Sequence, residues 1–194
     1  GKMHKKIPNI FIFTDKYNSK IFTNRNLNIG IIYRNYNDKN RENQLIKIAK
    51  ACKQNRYQLY VSNDVKLAYK YKAHGIYIPS FNKTKKFLNL EKKNIKIIGS
   101  AHTQKEIHKK IMQSCKAIFL SPLFYVKKSK NHLNIHKFNY LTHLNKTNIL
   151  ALGGISQNNI QKLKLLNVEG FGGINLFKKK PASKRPVFIK NNFF

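Results

Sequence analysis

Residues Ile149–Phe177 read ILALGGISQNNIQKLKLLNVEGFGGINLF. An apolar strand ends in Gly153-Gly154, a stretch with helical periodicity follows, and a second strand carries Gly172-Gly173. That order predicts a phosphate cup at the end of a (β/α) barrel. Glycines let backbone N–H groups approach an oxyanion with no Cβ in the way, and a helix N-terminus behind them adds favourable partial positive charge. In eight-stranded α/β barrels such a cup is commonly built after strands seven and eight.

Working outward, short apolar runs alternate with lysine-rich amphipathic stretches. Strands are expected at Asn9–Thr14, Leu27–Arg34, Gln58–Asn63, Gly75–Ile78, Ile95–Ser100, Ala117–Ser121, Ile149–Gly153 and Gly170–Leu176. Helices fit between them at Arg41–Asn55, Val65–Lys72, Thr84–Lys92, Gln104–Ser114, Ile135–Leu144 and Gln157–Leu166. This alternation is that of parallel strands. The reading is therefore α/β, a (β/α)8 TIM barrel in a single domain with its core over residues 9–177. Too few residues join strands one and two for a full first helix. The tail KKKPASKRPVFIKNNFF, residues 178–194, carries two prolines and poor helical periodicity, so the last helix is expected to be replaced by an irregular strap.

The 194 residues and a 41% hydrophobic fraction suffice for one buried core. No run approaches the roughly eighteen apolar residues of a membrane span, and GKMHKKIPN lacks the apolar stretch of a secretory signal. Gly1-Lys2 ahead of Met3 is expected to be a cloning remnant. Cys52 and Cys115 have no CxxC or histidine-rich spacing around them, which predicts buried reduced thiols in a cytoplasmic protein. The formal charge of +32 would by itself point to nucleic acid. Against that, the lysines are evenly spread, no nucleic-acid-binding signature accompanies them, and joint enrichment in Asn, Ile and Lys reads as a compositional bias. A positive field of this kind attracts phosphorylated small molecules.

In a barrel the C-terminal strand ends share one face, where catalytic groups sit. Strand two ends IYRNYN, strand three VSND, strand four IYIPS, strand five GSAHT and strand six FLSP. The segments VSNDVKLAYKYKAHGIYIPS, IIGSAHTQKEI, IFLSPLFYVKKSK, LALGGISQNNI and GFGGINLF, in that order, resemble the successive signature segments of thiamine phosphate synthases and the related TenI proteins. The resemblance implies the joining of an aminopyrimidine diphosphate to a thiazole phosphate, with Mg2+ as cofactor. It implies roles for Arg34 in the strand-two diphosphate motif, for Asn63 and the magnesium ligand Asp64 after strand three, for Ser100 on strand five and for Lys130 after strand six. Gly153, Gly154, Gly172 and Gly173 match the thiazole phosphate cup, and Lys127, Lys128, Lys130 and Lys178 could offset phosphate charge.

The sequence also departs from the family. The strand-two Gln and Lys fall at Ile32 and Tyr36, and the second metal-binding Asp falls at about Asn82. Only three aspartates exist, Asp15, Asp38 and Asp64, and an amide is a poorer ligand for a hard dication. Asp64 is equally well placed to cap the following helix. His102, on a polar strand end, could shuttle a proton or simply serve the start of its helix. Three functions stay open: a synthase, a TenI-like thiazole tautomerase using His102, and a non-catalytic barrel that binds phosphates or polyanions. Phe188, Ile189, Phe193 and Phe194 would be exposed unless docked, on their own barrel or on a second copy in a homodimer.

Overall fold

The structure, a computed structural model, describes residues 6–24, 27–174 and 176. Eight parallel strands close into a barrel in sequence order: β1 (Ile10–Thr14), β2 (Ile29–Tyr33), β3 (Gln58–Ser62), β4 (Gly75–Ile78), β5 (Lys96–Ala101), β6 (Ala117–Leu120), β7 (Asn148–Leu152) and β8 (Phe171–Gly173). Closure is made where β8 pairs with β1, Phe171 opposite Ile10 and Gly173 opposite Ile12. Among the described residues four α-helices cover the outside: α1 (Arg41–Asn55), α2 (Val65–Lys70), α3 (Gln104–Met112) and α4 (Asn134–His143).

Alternation along each strand divides the core in two. Inward side chains Phe11, Phe13, Ile32, Tyr60, Tyr77, Ile98, Phe119 and Leu150 fill the barrel. Five of these are aromatic, and Phe13, Tyr77 and Phe119 meet edge to face at 5.2–6.4 Å between centroids. Outward residues such as Ile10, Ile12, Ile29, Ile31, Leu59 and Ile118 pack with the helices. In α1 that contact is made by Leu45, Ile48, Ala51 and Cys52, one stripe at helical spacing. The floor is closed by the incoming chain: Gln58 Nε2 donates to the Lys6 carbonyl at 2.8 Å and Phe171 N to the Asn9 carbonyl at 2.9 Å.

Three expectations about helices are changed or bounded. The first crossover holds only a 3-10 turn at Ser19–Ile21, as its length requires, followed by Phe22 stacked between Tyr17 and Tyr57. The expected helix over Thr84–Lys92 is a loop ending in a 3-10 turn at Leu90–Lys93. Asn89, with φ of 78°, takes a left-handed conformation that interrupts any helix there. The expected helix over Gln157–Leu166 is a 3-10 turn at Ile160–Leu165. Its start is diverted by local bonds, Ser156 N donating to Asn159 Oδ1 at 2.8 Å and Asn159 Nδ2 to the Gly154 carbonyl at 2.7 Å. The expected final strap, residues 178–194, lies outside the described residues. Cys52 and Cys115 are both buried free thiols, and among the described residues no helix is long and apolar enough to cross a membrane.

Candidate active site

The C-terminal strand ends make one mouth. At the end of β2, Arg34 lays its guanidinium over the Phe13 ring at 5.5 Å, with Nε 3.5 Å from Asp15 Oδ1. That separation is within ion-pair range, yet Nε is buried and makes no hydrogen bond. Arg41, in the first turn of α1, donates from one terminal nitrogen to the Ser62 carbonyl at 3.3 Å, and its Nε is likewise buried without a partner. Burial raises the Tyr36 phenol pKa, while the Ser62 hydroxyl and the Arg34 and Arg41 charges oppose the rise.

Ser100 faces the barrel axis near the top of β5. Its hydroxyl accepts from the Tyr77 phenol at 2.7 Å. Burial pushes the Tyr77 pKa well above its ordinary value, so the phenol stays a donor and leaves the Ser100 proton available to another acceptor. Asn63, held at φ of 59° after β3, accepts from Asn82 Nδ2 at 2.7 Å, and Asn82 Oδ1 accepts from Thr84 N at 2.9 Å. Both ends of the Asn82 amide are thereby committed. Its backbone carbonyl is held from below by Lys110 Nζ and Gln113 Nε2, each at 2.9 Å. Lys110 is fully buried on α3, and desolvation lowers its pKa.

The other candidates are placed differently. Asp64 caps α2, its Oδ1 accepting from Leu67 N at 2.9 Å. His102 turns outward to α3, where Nδ1 lies 3.0 Å from Glu106 Oε2 and its backbone N–H donates to the same oxygen at 2.6 Å. The arrangement belongs to the helix start, with Thr103 accepting from Glu106 N at 3.2 Å. Lys130 is exposed in the loop after β6, and Lys178 lies outside the described residues. Arg34, Asn63 and Ser100 thus share the mouth, while His102 stands on its outer rim.

The glycine cup also differs from its expected form. Gly153 and Gly154 have φ of 101° and 68°, as the strand-to-loop turn demands. What approaches them is the loop after β6: a Cβ on Gly154 would fall 2.5 Å from the Tyr125 carbonyl oxygen, and one on Gly153 would fall 2.7 Å from Pro122 Cα. Gly172 faces the barrel interior, where a Cβ would meet the Phe119 and Phe13 rings at 2.9 and 3.0 Å. Gly173 is partly exposed beside Leu176. No α-helix begins directly behind Gly154, so the helix-terminus contribution expected there is missing.

Tyr36, Arg41, Tyr77 and Lys110 were not among the candidates. Two carried a signal: Arg41 puts a cation at a helix N-terminus, where the dipole disfavours it, and Lys110 falls three residues after the buried Ile107 on an apolar stripe. Tyr77 gave none, because a tyrosine on an inward strand position reads as core.

A family model described as thiamine monophosphate synthase matches residues 21–176. The chain belongs to that family. It is 31% identical over 159 residues to the thiamine-phosphate synthase of Prochlorococcus marinus subsp. pastoris, covering 79% of this chain and 45% of that protein. A synthase from a second Prochlorococcus marinus strain is 27% identical over 146 residues, covering 69% and 41%. The chain therefore spans less than half the length of these curated relatives. Among solved structures, thiamine phosphate pyrophosphorylase from Pyrococcus furiosus superposes with a TM-score of 0.69 at 15% identity, over 87% of this chain and 86% of that one. The Bacteroides thetaiotaomicron pyrophosphorylase gives 0.62 at 16% identity over 94% and 91%. At those identities the likeness speaks to the fold.

For a member of the thiamine monophosphate synthase family, the donor set fits a two-carboxylate magnesium site poorly. One oxygen of Asp64 serves the α2 cap, and the Asn82 amide oxygen, a neutral ligand, already accepts from Thr84 N. Among the described residues no group of three His, Cys, Asp or Glu side chains could hold a metal ion. The cap has its own measurable weight. Asp64→Ala is expected to cost about 1 kcal/mol through the lost cap, seen in thermal melts as a fall of roughly 2–4 °C. Asp64→Asn, which keeps a capping acceptor, should melt close to the parent; equal losses in both variants would show that the cap is not what Asp64 supplies.

Proposed function

We propose that this chain is a thiamine phosphate synthase, joining hydroxymethylpyrimidine diphosphate to hydroxyethylthiazole phosphate and releasing pyrophosphate. The supporting observation is the convergence of Arg34, Asn63 and Ser100 on one mouth, at the strand ends that the family match spans. The pyrimidine methylene C–O bond breaks with its electron pair leaving on the diphosphate. The thiazole nitrogen lone pair then forms the new C–N bond, giving a thiazolium. Arg34 stabilises the charge gathering on the leaving group, in a site where pre-aligned cations act most strongly. Ser100, its oxygen fixed by Tyr77, donates its own proton to a substrate acceptor. Tyr36 with Phe81, 5.9 Å apart edge to face, and Tyr125 with His132, at 6.4 Å, offer ring surfaces to the two heterocycles.

A thiazole tautomerase is the second reading, and the His102–Glu106 pair favours it: with Nδ1 held at 3.0 Å, the other imidazole nitrogen can exchange protons at the rim. The test is product formation from the two synthase substrates by the purified chain. Thiamine phosphate is expected, with kcat/KM about a hundredfold lower in Arg34→Ala, the scale of losing one transition-state donor. Absence of product together with turnover of a thiazole carboxylate phosphate that vanishes in His102→Ala would replace the synthase with the tautomerase.

A further inference from the structure

The carboxylates and arginines of the mouth carry a consequence for how the diphosphate is neutralised, resting on the synthase reading of the same site. Asp15 stands beside Arg34, Asp38 accepts from Asn40 N at 2.8 Å and from Asn35 Nδ2 at 3.4 Å, and Asp64 caps α2. In place of a second acidic ligand, Asn82 gives its NH2 to Asn63 and its oxygen to the backbone. Converting that position to a metal ligand would break two bonds, and the buried Lys110 and Gln113 hold the carbonyl beneath it in place.

The cations show the opposite pattern. Arg34 and Arg41 each bury an Nε that makes no hydrogen bond, Arg34 having only the Asp15 carboxylate at ion-pair range and Arg41 only the Ser62 carbonyl on a terminal nitrogen, so both guanidiniums keep donors for an anion. Arg41 adds an unfavourable feature by standing in the first turn of α1, against the helix dipole. Arg41 reaches the Ser62 carbonyl at the end of β3, and Arg34 follows Tyr33, whose pairing with Val61 sets Arg34 beside Ser62, so both arginines stand at the neighbouring ends of β2 and β3. Two planar forks at adjacent strand ends suit a diphosphate, each fork offering paired donors to phosphate oxygens.

We propose that Arg34 and Arg41 together form a diphosphate subsite that works without a carboxylate-held magnesium ion, with Arg41 supplying the charge that a protein-bound dication would bring. The leaving group is then countered by fixed guanidiniums, and the Asn63–Asn82 pair holds the neighbouring loop instead of ligating a cation.

The experiment titrates inorganic pyrophosphate into the intact chain in excess EDTA, by calorimetry, and repeats the synthase assay in EDTA and in magnesium. Saturable pyrophosphate binding in EDTA is expected, weakened about tenfold in Arg41→Gln, as loss of a charge-assisted fork would do. In the assay, Arg41→Gln should raise KM for the pyrimidine diphosphate and leave KM for the thiazole phosphate alone. Arg41→Lys should recover part of the affinity, since it keeps the charge and loses the fork. Pyrophosphate binding that requires magnesium, or turnover abolished by EDTA and restored by magnesium, overturns the inference while leaving the synthase intact. Binding in EDTA with no product under either condition keeps the subsite and removes the synthase reading.

Discussion

Stability is expected to collapse steeply as pH rises above about 9, because the core holds several acids that ionise freely only in the unfolded chain. Burial pushes the Cys115 thiol up to about 12 and Cys52 higher still, from an ordinary value of 9.0. The Tyr60 and Tyr77 phenols are likewise raised by burial from 10.0. A folded pKa above the unfolded one means that the stabilising term is whole below the unfolded value and is lost as pH climbs beyond it. Each such group removes about 1.4 kcal/mol per pH unit once the unfolded form titrates. The two thiols give a slope of about 3 kcal/mol per unit approaching pH 10, and the phenols steepen it beyond. Lys110, whose pKa burial lowers, and Lys109, whose pKa the neighbouring Lys83 lowers from an exposed position, work in the opposite direction. Against a typical total of about 5–15 kcal/mol, unfolding between roughly pH 10 and 11 is the expected result. Urea midpoints measured across that range check it, with Cys52→Ala flattening the first part of the slope. A flat profile would mean that the thiols are not sequestered as described.

Gly154→Ala should be among the most damaging single substitutions near the mouth. At φ of 68° a side chain carries roughly 1–2 kcal/mol of backbone cost. The new Cβ would also stand 2.5 Å from the Tyr125 carbonyl oxygen and 2.9 Å from the Phe124 carbonyl carbon. Backbone on one side and backbone on the other leaves no flexible atom to yield, so the loop after β6 must move, for a further 1–3 kcal/mol or about that scale. The expected total is about 3 kcal/mol, a fall of roughly 6–12 °C in Tm. Gly173→Ala is the comparison, since its Cβ meets only the Leu176 side chain at 2.9 Å. Equal melting temperatures for the two variants would refute the backbone clash.

What the sequence made legible follows from where its information lies. Strands such as Gly75–Ile78 were read at their observed bounds because an apolar run between turn residues is a local signal. The stripe Leu45, Ile48, Ala51, Cys52 did the same for α1. The segments Thr84–Lys92 and Gln157–Leu166 have helical spacing too, but the left-handed Asn89 and the Ser156–Asn159 bonds overrule it, and neither shows as periodicity. At the mouth, the resemblance to the synthase family pointed to Arg34, Asn63 and Ser100. The partner of each was hidden: Tyr77 behind Ser100, Asn82 across from Asn63, and Pro122–Tyr125 pressed on Gly153-Gly154 are contacts between distant segments. Asp64 and His102 show the reverse case, in which a residue of suggestive type is engaged by its own helix start.

The closed floor has a practical side. Lys6 and Asn9 bond to Gln58 and Phe171 at the strand beginnings, so the chain enters from the end of the cylinder opposite Arg34 and Ser100. A tether leading in through Lys6 would therefore present the mouth outward. Attached to a bead or a sensor chip by that route, the molecule would turn the strand ends that carry Arg34 and Ser100 away from the support.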